Sequence, residues 1–173
     1  MSFLTKLLGI NDSQDSNTAP NAVETIASAL SSIDANRARF LGAFAYLLAR
    51  VAASDGNICR AEVAEMHRAV SGVGGCSEKE ASLVVKLAEI EAKEHGGTQD
   101  YLVTRLMKEH STLIERQGVV AAMLQVAASD GAVEYSEEEE VRAVARQLGF
   151  SNSEFLEALS RQREFRTVLK GMV

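Results

Sequence analysis

Residues 51–65 read VAASDGNICRAEVAE, and residues 126–140 read VAASDGAVEYSEEEE. The first six residues of the two stretches are identical, and their first residues, Val51 and Val126, are 75 positions apart. An internal repeat of this kind predicts a fold of two similar units that pack together. The same offset relates two pairs of acidic residues, Glu62 with Glu137 and Glu65 with Glu140.

The composition favours an all-α protein. Hydrophobic residues make up 46% of the chain, and it has one proline and no tryptophan. Helix formers dominate, and runs typical of β-strands bounded by turns are missing. A length of 173 residues suits one domain with a proper core. We therefore expect a single domain of about seven to eight helices in two pseudo-repeated halves, at about residues 37–86 and 112–161.

Charge and cysteine content exclude several classes of protein. A formal net charge of -6 disfavours a nucleic-acid binder, which needs a basic face. The only two cysteines, Cys59 and Cys76, lack the spacing of a zinc site and indicate reduced thiols. No secretory signal is recognisable, and no stretch approaches the roughly 18 apolar residues of a membrane-spanning helix. We therefore expect a cytoplasmic protein, and nothing in the sequence indicates a small-molecule substrate.

Residues 1–21 form a distinct N-terminal segment. Its apolar residues fall at helical spacing and predict an amphipathic turn that packs on the domain, on a protein partner or, as the alternative, on a lipid surface. These residues are Phe3, Leu4, Leu7 and Leu8. A polar stretch over residues 9–21, with the only proline, predicts a flexible linker. Residues 22–33 then predict a helix with one apolar face, made by Ala22, Ile26, Ala29, Leu30 and Ile33.

The repeated phrase places a carboxylate where a helix disfavours it. Asp55 and Asp130 each follow a predicted helix, where the helix dipole is negative and costs a carboxylate about 0.3–1 kcal/mol. Two explanations stay open. The aspartates could accept amide hydrogens of their own turn, as Asx residues do. Alternatively, they could share a cation with Glu62 and Glu137, which begin the next helices.

The glutamates also have a purely structural explanation. Acidic residues in the first turn of a helix favour the positive end of its dipole, without any ligand. An EF-hand is excluded, because the first and third ligand positions of its loop would be Val51 and Ala53 in one copy. A carboxylate-based or metal-assisted hydrolase needs more than paired acids, which are common in helical proteins.

The repeated pattern resembles the TerB-like family of tellurite-resistance proteins. Residues 141–155, VRAVARQLGFSNSEF, are also similar to the closing segment of that family. The resemblance covers about residues 34–165 and implies a TerB-like helical domain over 22–173 without known catalytic activity. It also implies an acidic pole proposed to bind a divalent metal. The matching positions here are Asp55, Glu62, Asp130 and Glu137.

The family resemblance further implies the cellular systems in which the protein acts. Members act in bacterial stress and tellurite-resistance systems as partners within larger, often membrane-linked assemblies. We therefore expect a non-enzymatic module that binds Ca²⁺ or Mg²⁺ and a protein partner, and that lies in the cytoplasm or at the inner face of the membrane. Glu65 and Glu140 are secondary candidates for the metal. The alternative is a metal-free scaffold that docks through Phe3, Leu4, Leu7 and Leu8.

Overall fold

Seven α-helices make up the part of the chain that the computed structural model describes, which is residues 34–54, 58–95, 100–129, 131 and 133–171. The helices are α1 (Ala35–Ala52), α2 (Arg60–Gly72), α3 (Glu78–His95), α4 (Asp100–Glu109), α5 (Leu113–Ala127), α6 (Tyr135–Gln147) and α7 (Asn152–Gly171). These ranges contain no strand, so the all-α prediction is confirmed. The helix predicted at 22–33 lies outside the described residues.

The helix bounds follow the sequence repeat. Helices α1 and α5 end at Ala52 and Ala127, which are 75 positions apart. Helices α2 and α6 begin 75 positions apart and also end 75 positions apart. At the start of α1, Asp34 accepts hydrogen bonds from the backbone N–H groups of Asn36 and Arg37 at 3.0 and 3.2 Å and so caps the helix. None of the helices in the described ranges is long and apolar enough to cross a membrane.

Helix α1 is the centre of the core. It packs against five other helices, α2 to α6. Thirteen of its 18 residues are buried, including both phenylalanines and Tyr46. Small side chains such as Ala45 and Ala49, both fully buried, allow neighbouring helices to approach its axis closely. Because α1 has almost no polar face, its stability depends on being surrounded.

One residue that the helical spacing predicts to be buried is exposed. The spacing places Tyr101 of α4 inside, but its side chain is 68% exposed. The buried residues of α4 include Val103 and Met107, which are four positions apart and share one face. Tyr101 precedes Val103 by two positions, which is about 200° around a helix, so it points to the opposite side.

Three helices begin with a capping box whose first residue is a serine or a threonine. At α3, Ser77 N–H donates to Glu80 Oε2 at 2.8 Å, and Glu80 N–H donates back to Ser77 Oγ at 3.3 Å. Thr112 with Glu115 does the same for α5, and Ser151 with Glu154 for α7. Each box satisfies backbone donors that the first helical turn leaves without partners.

The capping boxes predict acid sensitivity. Hydrogen bonds from the Ser77 hydroxyl and backbone N–H hold the pKa of Glu80 below its ordinary 4.5, and Ser151 lowers the pKa of Glu154 in the same way. A lowered folded-state pKa gives stability that is present above pH 4.5 and is lost as pH falls through the folded pKa. Urea unfolding from pH 7 down to pH 3 should show this loss, and it should be smaller in the double variant Glu80→Gln/Glu154→Gln. An equally steep loss in both proteins would contradict the assignment.

Two glycines near the end of α2 differ in the space around them, so we expect Gly→Ala to change the stability differently at each. A Cβ at Gly74 would lie 2.0 Å from the Val70 carbonyl oxygen and 2.8 Å from Leu41 Cδ2. Gly74→Ala should therefore lower the free energy of unfolding by about 1–3 kcal/mol, as overpacking does. A Cβ at Gly72 would meet nothing within 4 Å. Gly72→Ala should leave stability unchanged or raise it by up to about 1 kcal/mol. Urea denaturation measures both, and equal effects would contradict the packing argument.

Candidate functional site

The two copies of VAASDG end their helices in the same way. Ser54 N–H donates to the Val51 carbonyl at 3.0 Å, and Ser129 N–H donates to the Val126 carbonyl at 3.0 Å. The repeated sequence thus folds into the same turn twice. We call these turns, each with the start of the helix that follows, the first and second corner; they comprise residues 51–65 and 126–140. The aspartates of both corners, Asp55 and Asp130, lie outside the described residues, so their role stays a prediction.

The glutamates of the corners are buried at equivalent positions. Glu62 is 5% exposed and Glu137 is 6% exposed, and each is the third residue of its helix. Glu62 Oε2 accepts the backbone N–H of Cys59 at 2.6 Å, and Glu137 Oε2 accepts that of Glu134 at 2.7 Å. Both carboxylates therefore cap α2 and α6, which is the structural role considered from the sequence. An ionised carboxylate offers about four acceptor positions, so one capping bond is compatible with further ligands.

The secondary candidates, Glu65 and Glu140, each form an ion pair. Glu65 Oε2 lies 2.7 Å from Arg68 Nη2, one turn further along α2. Glu140 Oε1 lies 3.1 Å from Arg50 Nη2, across the interface between α6 and α1. Arg50 belongs to the last turn of α1, which leads into the first corner, and Glu140 belongs to the second corner. This contact joins the end of α1, directly before the first corner, to the last residue of the second corner. We call the two corners together the acidic pole.

Two serine hydroxyls at the corners are buried without a partner. Within the described part of the chain, Ser54 Oγ and Ser129 Oγ have no solvent exposure and no hydrogen bond. Leaving a buried hydroxyl unsatisfied costs about 1–3 kcal/mol. Here the equivalent serine hydroxyl is unsatisfied in both copies of the repeat. Both serines precede the aspartates directly, so a ligand or ordered water bound at the corners would lie next to them.

The structure describes part of the predicted site. It places Glu62 and Glu137 at the start of α2 and α6, and it pairs Glu140 with Arg50 at the end of α1. Among the described residues, no three or more His, Cys, Asp or Glu side chains are grouped to hold a metal ion. The partner-binding candidates Phe3, Leu4, Leu7 and Leu8 fall outside the described residues.

Sequence reasoning missed two features of the pole. The serine hydroxyls could have been found, because Ser54 and Ser129 belong to the identical part of the repeat. Arg50 could not be found in this way, because its counterpart 75 positions later is Gln125, which carries no charge.

The helices and corners define a class: an all-α domain that uses one helix–turn–helix corner twice. A family model described as "Tellurite resistance protein TerB" matches residues 41–160. The chain therefore belongs to the TerB family, as the sequence resemblance predicts. Neither a search of curated proteins nor a search of solved structures found a match.

The capping role of Glu62 can be separated from its charge. Glu62→Ala removes the acceptor for the Cys59 N–H and should lower the free energy of unfolding by about 1–2 kcal/mol. Glu62→Gln keeps an oxygen that can accept this bond, as glutamine does in capping boxes, so its cost should be smaller. Urea denaturation of the two variants measures the difference. Equal destabilisation would show that the charge, rather than the cap, is what the fold requires.

Proposed function

We propose that this TerB-family protein is a non-enzymatic module that binds a divalent cation, Ca²⁺ or Mg²⁺, at the acidic pole. The proposed ligands are Asp55 and Glu62 from the first corner with Asp130 and Glu137 from the second. The observation that carries the proposal is the burial of Glu62 and Glu137, at 5% and 6% exposure, in the same position of a repeated corner. A carboxylate has about four acceptor positions, so each of the two glutamates can cap its helix and also bind a cation.

The donor chemistry of the pole suits these cations. Ca²⁺ and Mg²⁺ prefer oxygen ligands, and carboxylates are the commonest of them. The buried hydroxyls of Ser54 and Ser129 add two neutral oxygens beside the aspartates. In the proposed site these hydroxyls bind the cation or its water, which would remove the cost of leaving them unsatisfied.

The ion pairs of the pole explain why Glu65 and Glu140 are weaker candidates. Glu140 is 3.1 Å from the Arg50 guanidinium, and Glu65 is 2.7 Å from that of Arg68. A cation that recruited either carboxylate would have to break an existing ion pair. Glu140 and Arg50 are both only about one-fifth exposed, so their pair is screened less by solvent than a surface pair.

Membership of the TerB family supports a proposal for the biological role. A cation shared by both corners would cross-link the two halves of the domain and fix the shape of the pole. We propose that the module then serves as a scaffold for a protein partner in a stress response related to tellurite resistance, within a membrane-associated assembly. No step of this role requires catalysis by the chain itself.

Calorimetric titration of the chelator-treated protein with CaCl₂, MgCl₂ and MnCl₂ tests the cation site. We expect heat of binding and a higher melting temperature with at least one cation, because a ligand that binds only the folded state stabilises it by about 2.7 kcal/mol at 100 times its Kd. The double variant Asp55→Asn/Asp130→Asn should abolish both signals. Glu62→Gln/Glu137→Gln should weaken binding at least tenfold, because it removes two ligand charges while an oxygen that can cap the helix remains.

A matched control removes the same number of charges elsewhere. Glu109 and Glu157 are exposed and each pairs with an arginine of its own helix, so Glu109→Gln/Glu157→Gln lowers the negative charge without touching the pole. This variant should bind the cation as the wild type does. Absence of heat and of any thermal shift in the wild type, or equal loss in the control, would overturn the proposal.

A further inference from the structure

Arg142 of α6 joins the second corner to α7. Its side chain is only 24% exposed. On one side, Nη2 lies 2.6 Å from Glu138 Oε1, and Nε lies 3.2 Å from Glu139 Oε1. Both glutamates belong to the second corner. The guanidinium of Arg142 is therefore held by two carboxylates of the acidic pole.

The other side of the same guanidinium holds α7. Its Nη1 donates a hydrogen bond at 2.8 Å to Oδ1 of Asn152, the first residue of α7. Its central carbon lies 4.6 Å from the ring centroid of Phe155, which is within the range of a cation–π contact. Further along α7, Arg163 Nη2 lies 3.5 Å from Glu138 Oε2. We call these contacts of Arg142 and Arg163 the arginine clamp.

The first half of the repeat lacks the groups that form the clamp. Residues 138, 139 and 142 correspond, 75 positions earlier, to side chains with neither a carboxylate nor a guanidinium, which are Val63, Ala64 and His67. The clamp is therefore a feature of the second half alone.

Helix α7 is packed less firmly than its repeat counterpart, α3. Among residues 152–163, the part of α7 whose side chains the structure describes, only Phe155 and Leu159 are buried. A groove of about 480 Å³ lies between α7 and α5. Over residues 78–90, in contrast, α3 buries Ala81, Val84, Val85, Leu87 and Ala88. Because few buried apolar contacts mean a low free energy of local opening, α7 depends more on its polar clamp.

The clamp and the proposed cation site share the second corner. Glu137 is a proposed ligand, and Glu138 is the next residue of α6. A divalent cation bound at Glu137 would bring two positive charges close to the clamp. These charges attract the carboxylates of Glu138 and Glu139 and repel the guanidinium groups that they hold. Occupation of the corner would therefore weaken the clamp.

We propose that the arginine clamp couples cation binding at the second corner to the docking of α7. Without the cation the clamp holds α7 in place, and with the cation α7 is released. Release widens the groove between α5 and α7 and uncovers the apolar side chains of Phe155 and Leu159. The inference rests on the proposed cation site and adds a conformational response to it. Because such coupling is reciprocal, removing the clamp strengthens cation binding by the same factor.

Hydrogen exchange of the full chain, read by mass spectrometry with and without saturating CaCl₂ or MgCl₂, tests the coupling. In the wild type the cation should speed exchange of the amides of residues 156–163 about tenfold, as expected for loss of a hydrogen bond to a charged group. The amides of α1 should exchange no faster. Arg142→Gln should show the fast exchange of α7 without the cation, and the cation should change it little.

The matched control is Arg105→Gln, which also removes one arginine charge. Arg105 pairs with Glu109 of its own helix, α4, at 2.9 Å and takes no part in the clamp. This variant should respond to the cation as the wild type does. Glu138→Gln removes the carboxylate shared by Arg142 and Arg163, so it should speed exchange of α7 without the cation. Protection of α1 shows in each variant that the domain is folded.

The possible outcomes separate the coupling from the cation site. Heat of binding in calorimetry with unchanged exchange of α7 overturns the coupling and leaves the cation site standing. Slow exchange of α7 in both Arg142→Gln and Glu138→Gln also overturns the coupling, because the clamp would then not hold the helix. Arg142→Gln should bind the cation about tenfold more tightly than the wild type. Equal or weaker binding contradicts the coupling, and absence of binding heat in the wild type overturns the cation site together with it.

Discussion

Exclusion of water from α1 is the constraint on which the rest of the fold depends. The helix is packed by α2 to α6 and buries 13 of its 18 residues. A helix that is apolar on nearly every side gains little by forming alone, because its stability comes from the surfaces that cover it. The five partners must therefore assemble around it, and their arrangement fixes the acidic pole. The first corner is the continuation of α1, and the second leads into α6, one of its partners.

Much of the fold could be predicted because its signals are local. Ser77 and Glu80, for example, have the spacing of a capping box in the sequence and form one in the structure. A cap acts over three or four residues, so the sequence contains all of the information. Tyr101 shows the limit. Tyr101 is apolar in character, but it lies on the side of α4 opposite the buried Val103 and Met107, so its residue type alone predicted its burial wrongly.

The site was predictable in its parts but not in its assembly. The repeat pointed to Glu62 and Glu137, and local rules could assign them either to a cap or to a ligand. Their burial and capping bonds are structural facts that the spacing alone could not decide. The Arg50–Glu140 pair joins residues 90 positions apart and connects positions that are not counterparts in the repeat. Repeat symmetry relates Arg50 to Gln125 and Glu140 to Glu65, so symmetry reasoning cannot predict such a contact.

The asymmetry of the pole bears directly on its chemistry. Glu65 and Glu140 are counterparts in the repeat, but their arginine partners are not, because Glu65 pairs with Arg68 of its own helix and Glu140 pairs with Arg50 of α1. In the proposed site, the fixed positive charge of Arg50 would offset part of the repulsion between carboxylates before a cation is bound. The same charge would oppose an incoming divalent cation, because affinity for such ions depends on the net charge and rigidity of the ligands. In the proposed site Arg50 would thus favour folding without metal and weaken metal binding, and it stands at a position where the second copy of the repeat has the uncharged Gln125.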